Sequence, residues 1–362
     1  MVVISILSEA LLYLSFSLLL GSFILYLVPK KVRPDLKIPK PILLTATLGV
    51  AFLSFVPVLK IILYLYKDLG WGSTIQSVLF QFEVGKSWVR IGIVSVLLFI
   101  FLIPVKLDRK PIFALQGLLF TLILIGLTGW ASHASSLSKW EGSLTHSTHL
   151  LAVCIWVGIL AVVSWFAKNS TNWEKFLKWF TPLAIICFVI VAFTGFHLMS
   201  FMMREGDYVN SWSLSFGQTL LIKHLAIIPL LVFAFINSIL TRNRFKKDPG
   251  FNPLPWARLE SVFILLIFAI TGTLGQQAPP HNIETTIKEE GISPLFQYFH
   301  GGEMDFPIQL TPSLPSYALF FCAIICLLFI FFSYIKKAPK FLAFTMGILS
   351  IIASYLALMS SI

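Results

Sequence analysis

Charge is what this sequence has least of. Of its 362 residues, 12% are Asp, Glu, Lys or Arg, about half the ~25% that wets the surface of a soluble domain. That shortage excludes a soluble enzyme and a disordered chain. Cysteine is scarce too: Cys154, Cys187, Cys322 and Cys326 all lie in apolar runs, which excludes a disulfide-stapled secreted domain. There is no Walker-type phosphate loop, so nothing points to ATP as the energy source. The ten-residue alternation of a membrane barrel is missing, and so are internal repeats and low-complexity tracts. Apolar residues are abundant, 57% of the chain with 34 Phe and 10 Trp. The composition predicts an all-α, polytopic helical membrane bundle whose main surroundings are the lipid bilayer.

A bilayer core needs about 20 apolar residues per helix. Ten stretches qualify, near 4–28, 42–66, 87–104, 112–134, 145–167, 178–203, 214–239, 259–276, 317–335 and 341–360. The first lacks a small-residue cleavage site and reads as a retained helix. The net charge of +11 then becomes a topology signal. The connections 29–41, 104–111, 168–178, 240–258 and 336–340 hold 19 Lys or Arg, and the opposite set holds seven. Basic loops stay in the cytoplasm, which puts both termini outside. The same charge gives no stripe for a nucleic acid, so none is expected as a partner. The long connection near 277–314 is external and acidic, with Glu284, Glu289, Glu290, Glu303 and Asp305 against Lys288. It reads as a solvated loop or as an anionic cap that draws cations to the outer mouth.

This topology gives each histidine a depth. His133 closes the fourth span at its outer end, and His146 and His149 open the fifth. His197 lies six residues inside the outer end of the sixth, roughly 9 Å deep, and His224 is about ten residues into the seventh. His281 and His300 fall in the external loop, and none is in the cytoplasmic half. Neutral imidazole is a ligand for copper, zinc, iron or nickel. His146 and His149, spaced i,i+3, share a helix face, and His133 precedes them across a short hairpin. Glu9, at the depth of His149, is a membrane carboxylate and so a site candidate by default. It could be a ligand, an acceptor orienting a ring, or half of an ion pair. Met199 and Met203, at i,i+4, and the thiol Cys154 are softer candidates, though gap-filling methionine is the blander reading. Arg258 and Glu260 are expected to form a local ion pair at the cytoplasmic surface.

The stretch holding these histidines resembles a known family. Gly129-Trp130-Ala131-Ser132-His133-Ala134 is followed by a helix reading His149, six residues, Trp156, one residue, Gly158. Thr194-Gly195, Gly217 to Lys223, and Glu260 leading to Pro279-Pro280 come next in order. Together they are similar to the bacterial copper-resistance D family (CopD, including YcnJ-like proteins). The resemblance covers residues 1–280 as an eight-helix core. It leaves 281–314 as the external acidic loop and 315–362 as two additional spans.

The resemblance implies a multi-pass protein of the bacterial cytoplasmic membrane that moves copper, usually inward, and is not an enzyme. From the motifs it carries over His133, His149, Trp156, Gly158, Gly217, Lys223 and Glu260; His146, His197 and His224 rest on depth alone. Some relatives bear a fused external copper-binding domain, so the expected donor here is a separate external copper-binding protein. Two alternatives stay open. One is a membrane b-type cytochrome with haem b between His149 or His146 and His197 or His224. The other is an assembly factor that delivers copper to an oxidase.

Overall fold

The computed structural model describes residues 1–248, 250–301 and 306–362, apart from the side chain of Lys246. Glu303 and Asp305, counted above in the acidic loop, lie outside the described residues. Among the described residues sixteen α-helices follow one another, and there is no β-strand, only a bridge between Leu36 and Ala167. Ten helical segments among the described residues are long and apolar enough to cross a membrane. The polytopic helical bundle predicted from composition is the fold observed.

The helices group into two compact units, Met1–Phe201 and Met202–Ile362. The first contains α1 (Val2–Leu27), α2 (Lys40–Leu53), α3 (Val56–Leu69), α4 (Trp71–Phe80) and α5 (Glu83–Leu102). It continues with α6 (Pro111–Trp130), α7 (His133–Leu137), α8 (Lys139–Phe166) and α9 (Trp173–Met202). The second span is broken into α2 and α3. Pro57 has no N–H to give the carbonyl of Leu53, and the Trp88 indole donates to the Ala51 carbonyl at 3.0 Å beside the break.

Helix α8 is the axis of this unit. A Cβ on Gly21 of α1 would lie 2.2 Å from the backbone of Gly158, so the two helices meet backbone to backbone. Small residues let membrane helices approach this closely. Gly129 of α6 does the same against α8, because a Cβ there would sit 1.9 Å from Ser147 Oγ.

Two boundaries differ from the sequence expectation, for local reasons. Helix α6 stops at Trp130, and His133 opens the separate short helix α7. Ser132 makes both ends: its hydroxyl donates to the Gly129 carbonyl and accepts from the Ser135 N–H. Helix α8 begins at Lys139, six residues before the predicted start at 145. Glu141 in its first turn suits the helix dipole and accepts from Ser138 Oγ at 3.3 Å. His146 and His149 therefore sit about 10 and 15 Å along α8 from its first residue, well inside the helix they were expected to open.

The second unit contains α10 (Ser215–Phe235), α11 (Thr241–Lys247), α12 (Leu254–Leu274), α13 (Ile283–Glu290), α14 (Pro294–His300), α15 (Leu314–Ile335) and α16 (Lys340–Met359). A π-helical turn at Ile236–Leu240 joins α10 to α11. The last two spans pack on each other and on α10, and α16 also packs on α12. Gln218 of α10 receives the Tyr355 hydroxyl of α16 and donates to the Trp212 carbonyl. The long acidic connection contains α13 and α14. Asn282 caps α13 by accepting from the Thr285 N–H.

Candidate functional site

His149 is held from its Nδ1 side. That nitrogen lies 2.9 Å from Thr194 Oγ1 on α9. The Thr194 hydroxyl donates its own hydrogen to the Ile190 carbonyl at 2.6 Å, so its oxygen must accept from His149 Nδ1–H. A neutral ring fixed in this way carries its lone pair on Nε2, one of the two nitrogens through which imidazole can bind a metal. The ring lies over Gly195, where a Cβ would stand 3.5 Å from His149 Cε1. His149 and Thr194-Gly195, 45 residues apart in sequence, thus form one contact.

The neighbouring motif residues serve packing. Trp156 is buried and meets Phe188 of α9 edge-on, ring centroids 6.2 Å apart. Gly158 meets Gly21, as above. They fix α8 between α1 and α9, and that sets the height of His149 against Thr194.

His197, one turn beyond Thr194 on α9, is paired to α8 by a second bond. Its Nε2 lies 3.0 Å from Glu141 Oε1. A carboxylate only accepts, so Nε2 carries hydrogen and Nδ1 is the nitrogen able to bind a metal in the neutral ring. The ring also packs on Phe201, centroids 4.9 Å apart. Both partners are more than a third exposed, which makes the ion pair a weak contribution to stability.

The other candidates fall as follows. His146 is half-buried on α8 and shares the His149 face, while His133 is exposed at the start of α7. Glu9 of α1 accepts a hydrogen bond from Tyr13, one turn along the same helix. Cys154 is fully buried in α8. It lies about 140° round α8 from His149, so thiol and imidazole face different neighbours. Met199 is half-buried on α9, but the helix ends at Met202. Met203 leaves the helix on which it was expected to share a face with Met199.

His224 belongs to the second unit, where its Nδ1 lies 2.7 Å from the Tyr208 hydroxyl. Burial pushes that hydroxyl up to about 12, so it stays protonated at neutral pH. Glu260 makes no ion pair with Arg258. It accepts from Asn237 Nδ2 at 2.8 Å across the interface of α12 with the π-turn. Gly217 is needed where a Cβ would press within 1.9 Å of the Ser211 carbonyl.

Among the described residues, no three His, Cys, Asp or Glu side chains converge in a ready-made metal cluster. The histidines predicted on the α6–α8 hairpin do not form such a cluster among the described residues. A closed four-ligand set marks a structural site; a conducting path needs sites weak enough for the ion to leave. Sequence reading missed Glu141 and Asn237 and saw Thr194 only as a motif piece. The one signal available was a polar side chain in an apolar helix near a candidate ligand.

Comparison with known proteins agrees with the motif order. The family model described as Copper resistance protein D-like, N-terminal domain, matches residues 1–143. The model described as Copper resistance protein D matches residues 174–274. His146 and His149 lie between the two matched stretches, whereas Glu9, His133, Thr194, His197, His224 and Glu260 lie within them. The chain is similar to a Copper transport protein CutJ of Bacillus subtilis (strain 168), 28% identical over 254 residues. That match covers 65% of this chain and 46% of the relative, so the chain spans about half the length of the curated relative it matches. No solved structure matches it.

Proposed function

The chain belongs to the copper resistance protein D-like family, and from that premise we propose that it takes up copper on the outer side of the bacterial cytoplasmic membrane and moves it inward. Residues 1–280 form the transporting core in this reading, 281–314 an acidic outer cap, and 315–362 two supporting spans. His149 is the first ligand, through Nε2. His197 and His146 are further stations on the α8–α9 face, with His133 at the entrance. Glu9, Cys154, Met199, Met203 and His224 serve beyond that face, if copper reaches them.

The observation that carries this reading is the directed chain from His149 Nδ1–H through Thr194 Oγ1 to the Ile190 carbonyl. It fixes the ligand tautomer before any ion arrives, so no proton rearrangement is needed on capture. Separate, lightly liganded rings suit passage better than storage. No covalent chemistry is required of the protein.

The test is copper uptake into sealed vesicles containing the full chain. His149→Ala combined with His133→Ala is expected to abolish uptake above the level of protein-free vesicles; unchanged uptake overturns the route. The absorption spectrum of the same purified protein separates this reading from haem ligation. A reducible Soret band would replace copper with haem b.

A further inference from the structure

On the face of the second unit that loop charge assigns to the cytoplasm, the connection between α11 and α12 and the turn between α15 and α16 enclose an open-sided cavity of about 310 Å³. Its walls include Arg244, Phe251, Trp256, Tyr334, Lys337 and Lys340. The Arg244 guanidinium is fixed there, donating to the Tyr334 carbonyl at 3.2 Å and lying 4.4 Å from the centre of the Phe251 ring. Lys337 is held at φ 56°, a backbone conformation that costs a non-glycine residue energy and persists only where its surroundings enforce it.

Behind Trp256, one helical turn deeper and about 6 Å along α12, is Glu260, 3% exposed. Its Oε2 accepts from Asn237 Nδ2, which also donates to the Trp256 carbonyl at 3.0 Å. The carbonyl can only accept, and this fixes the amide orientation. Asn237 Oδ1 is left on the other side, buried and without a hydrogen-bond partner. Asn237 is 7% exposed and stands in the π-turn that interrupts α10. Such turns recur at functional positions because the extra residue redirects a side chain.

Among the described residues no cation pairs with Glu260. The charged groups of the surrounding elements lie elsewhere. Arg244, Asp248, Lys337 and Lys340 line the cavity, and Arg242 and Lys247 lie on α11. Arg258 projects about 200° round α12 from Glu260, and Lys223 is about 21 Å back along α10 from Asn237. An ionised carboxylate buried with one neutral donor and no counter-charge is expensive. A bound proton removes that cost.

We propose that Glu260 is a proton-binding site that exchanges with the cytoplasm through the Trp256 cavity and gives up its proton as a cation passes. In that step the carboxyl O–H bond breaks, the electron pair stays on Glu260, and the proton goes to water in the cavity. A cation near the carboxylate favours the ionised form, and by linkage the proton opposes the cation equally. Asn237 holds the carboxylate in place and offers Oδ1 as a second oxygen.

The coupling half of this proposal rests on the copper-transport reading; the proton site does not. Two measurements on the full chain in liposomes keep them apart. In infrared spectra, the acid-minus-alkaline difference of the unaltered protein should contain a carboxylic C=O band that Glu260→Gln removes and Asn237→Ala shifts. Superimposable wild-type and Glu260→Gln spectra would overturn the proton site. In uptake assays with copper salt outside, wild-type flux should change several-fold with internal pH. Glu260→Gln should lose that dependence. Retained pH dependence in Glu260→Gln overturns the coupling. If wild-type vesicles take up no more copper than protein-free ones, the transport reading fails, and the infrared result still decides the proton site.

Discussion

His149 in the first unit and Glu260 in the second are each held by one neutral side chain, and the two partners act in opposite senses. Thr194 is an acceptor: with its hydrogen committed to Ile190, it takes the proton of His149 Nδ1 and aims a lone pair away from itself. Asn237 is a donor: it satisfies one carboxylate oxygen and leaves its own oxygen without a partner. The ring is half-buried, whereas the carboxyl is closed off from solvent. In the proposed reading, the first arrangement would present a ligand to an arriving metal, and the second makes charge costly until a proton or cation compensates it. The same device, a single oriented hydrogen bond, would then serve capture in one place and release in the other.

The comparison can be broken most severely at the scaffold that sets the height of His149. Gly158→Val forces a side chain into the backbone of Ser17, 2.1 Å from where its Cβ would stand. The cost should reach or exceed the top of the ~1–3 kcal/mol overpacking range, visible as lost folded yield and a lower unfolding temperature in detergent. Next comes the ligand pair. Thr194→Val keeps shape but removes the acceptor, and should weaken copper affinity by ~10–100-fold, the usual cost of losing an orienting partner. Thr194→Ser should retain affinity, and His149→Ala should lose more than Thr194→Val. Equilibrium copper titration reads all three.

On the carboxyl side, Asn237→Ala leaves Glu260 without its donor and should cost ~1–3 kcal/mol of stability, with outer copper affinity unchanged. A parallel loss of copper affinity would show that the two sites are not separable. The smallest effect belongs to His300 on α14. Burial against Phe296 pushes its imidazole below the usual range, so the folded form prefers it neutral. The unfolded chain takes up the proton first, and stability should fall as pH drops below about 6.5. His300→Gln should flatten that slope in thermal unfolding across the acid range.

Much of the fold is legible in the sequence. Apolar length marks all ten spans. What escapes are features set by a few hydrogen bonds: the break at Ser54–Phe55, the start of α7 at Ser132, the early start of α8 at Ser138 and Glu141. Apolar counting does not register them because they lie where the chain is already polar. The candidate site divides in the same way. Residue types and depth single out His149 and His197 as candidates, but the motif order gives Thr194-Gly195 without showing that it meets His149. Where His133 and Cys154 fall depends on how far each helix extends and rotates. Glu260 is expected to pair with Arg258, but its partner is Asn237, because a π-turn has no periodicity signature.

The central claim is that His149 Nε2, oriented by Thr194, is the outer copper ligand. X-ray absorption at the copper edge of the loaded full-length protein tests it directly. The account predicts imidazole nitrogen scattering in the wild type that is lost in His149→Ala. An identical copper environment in the two proteins would contradict it.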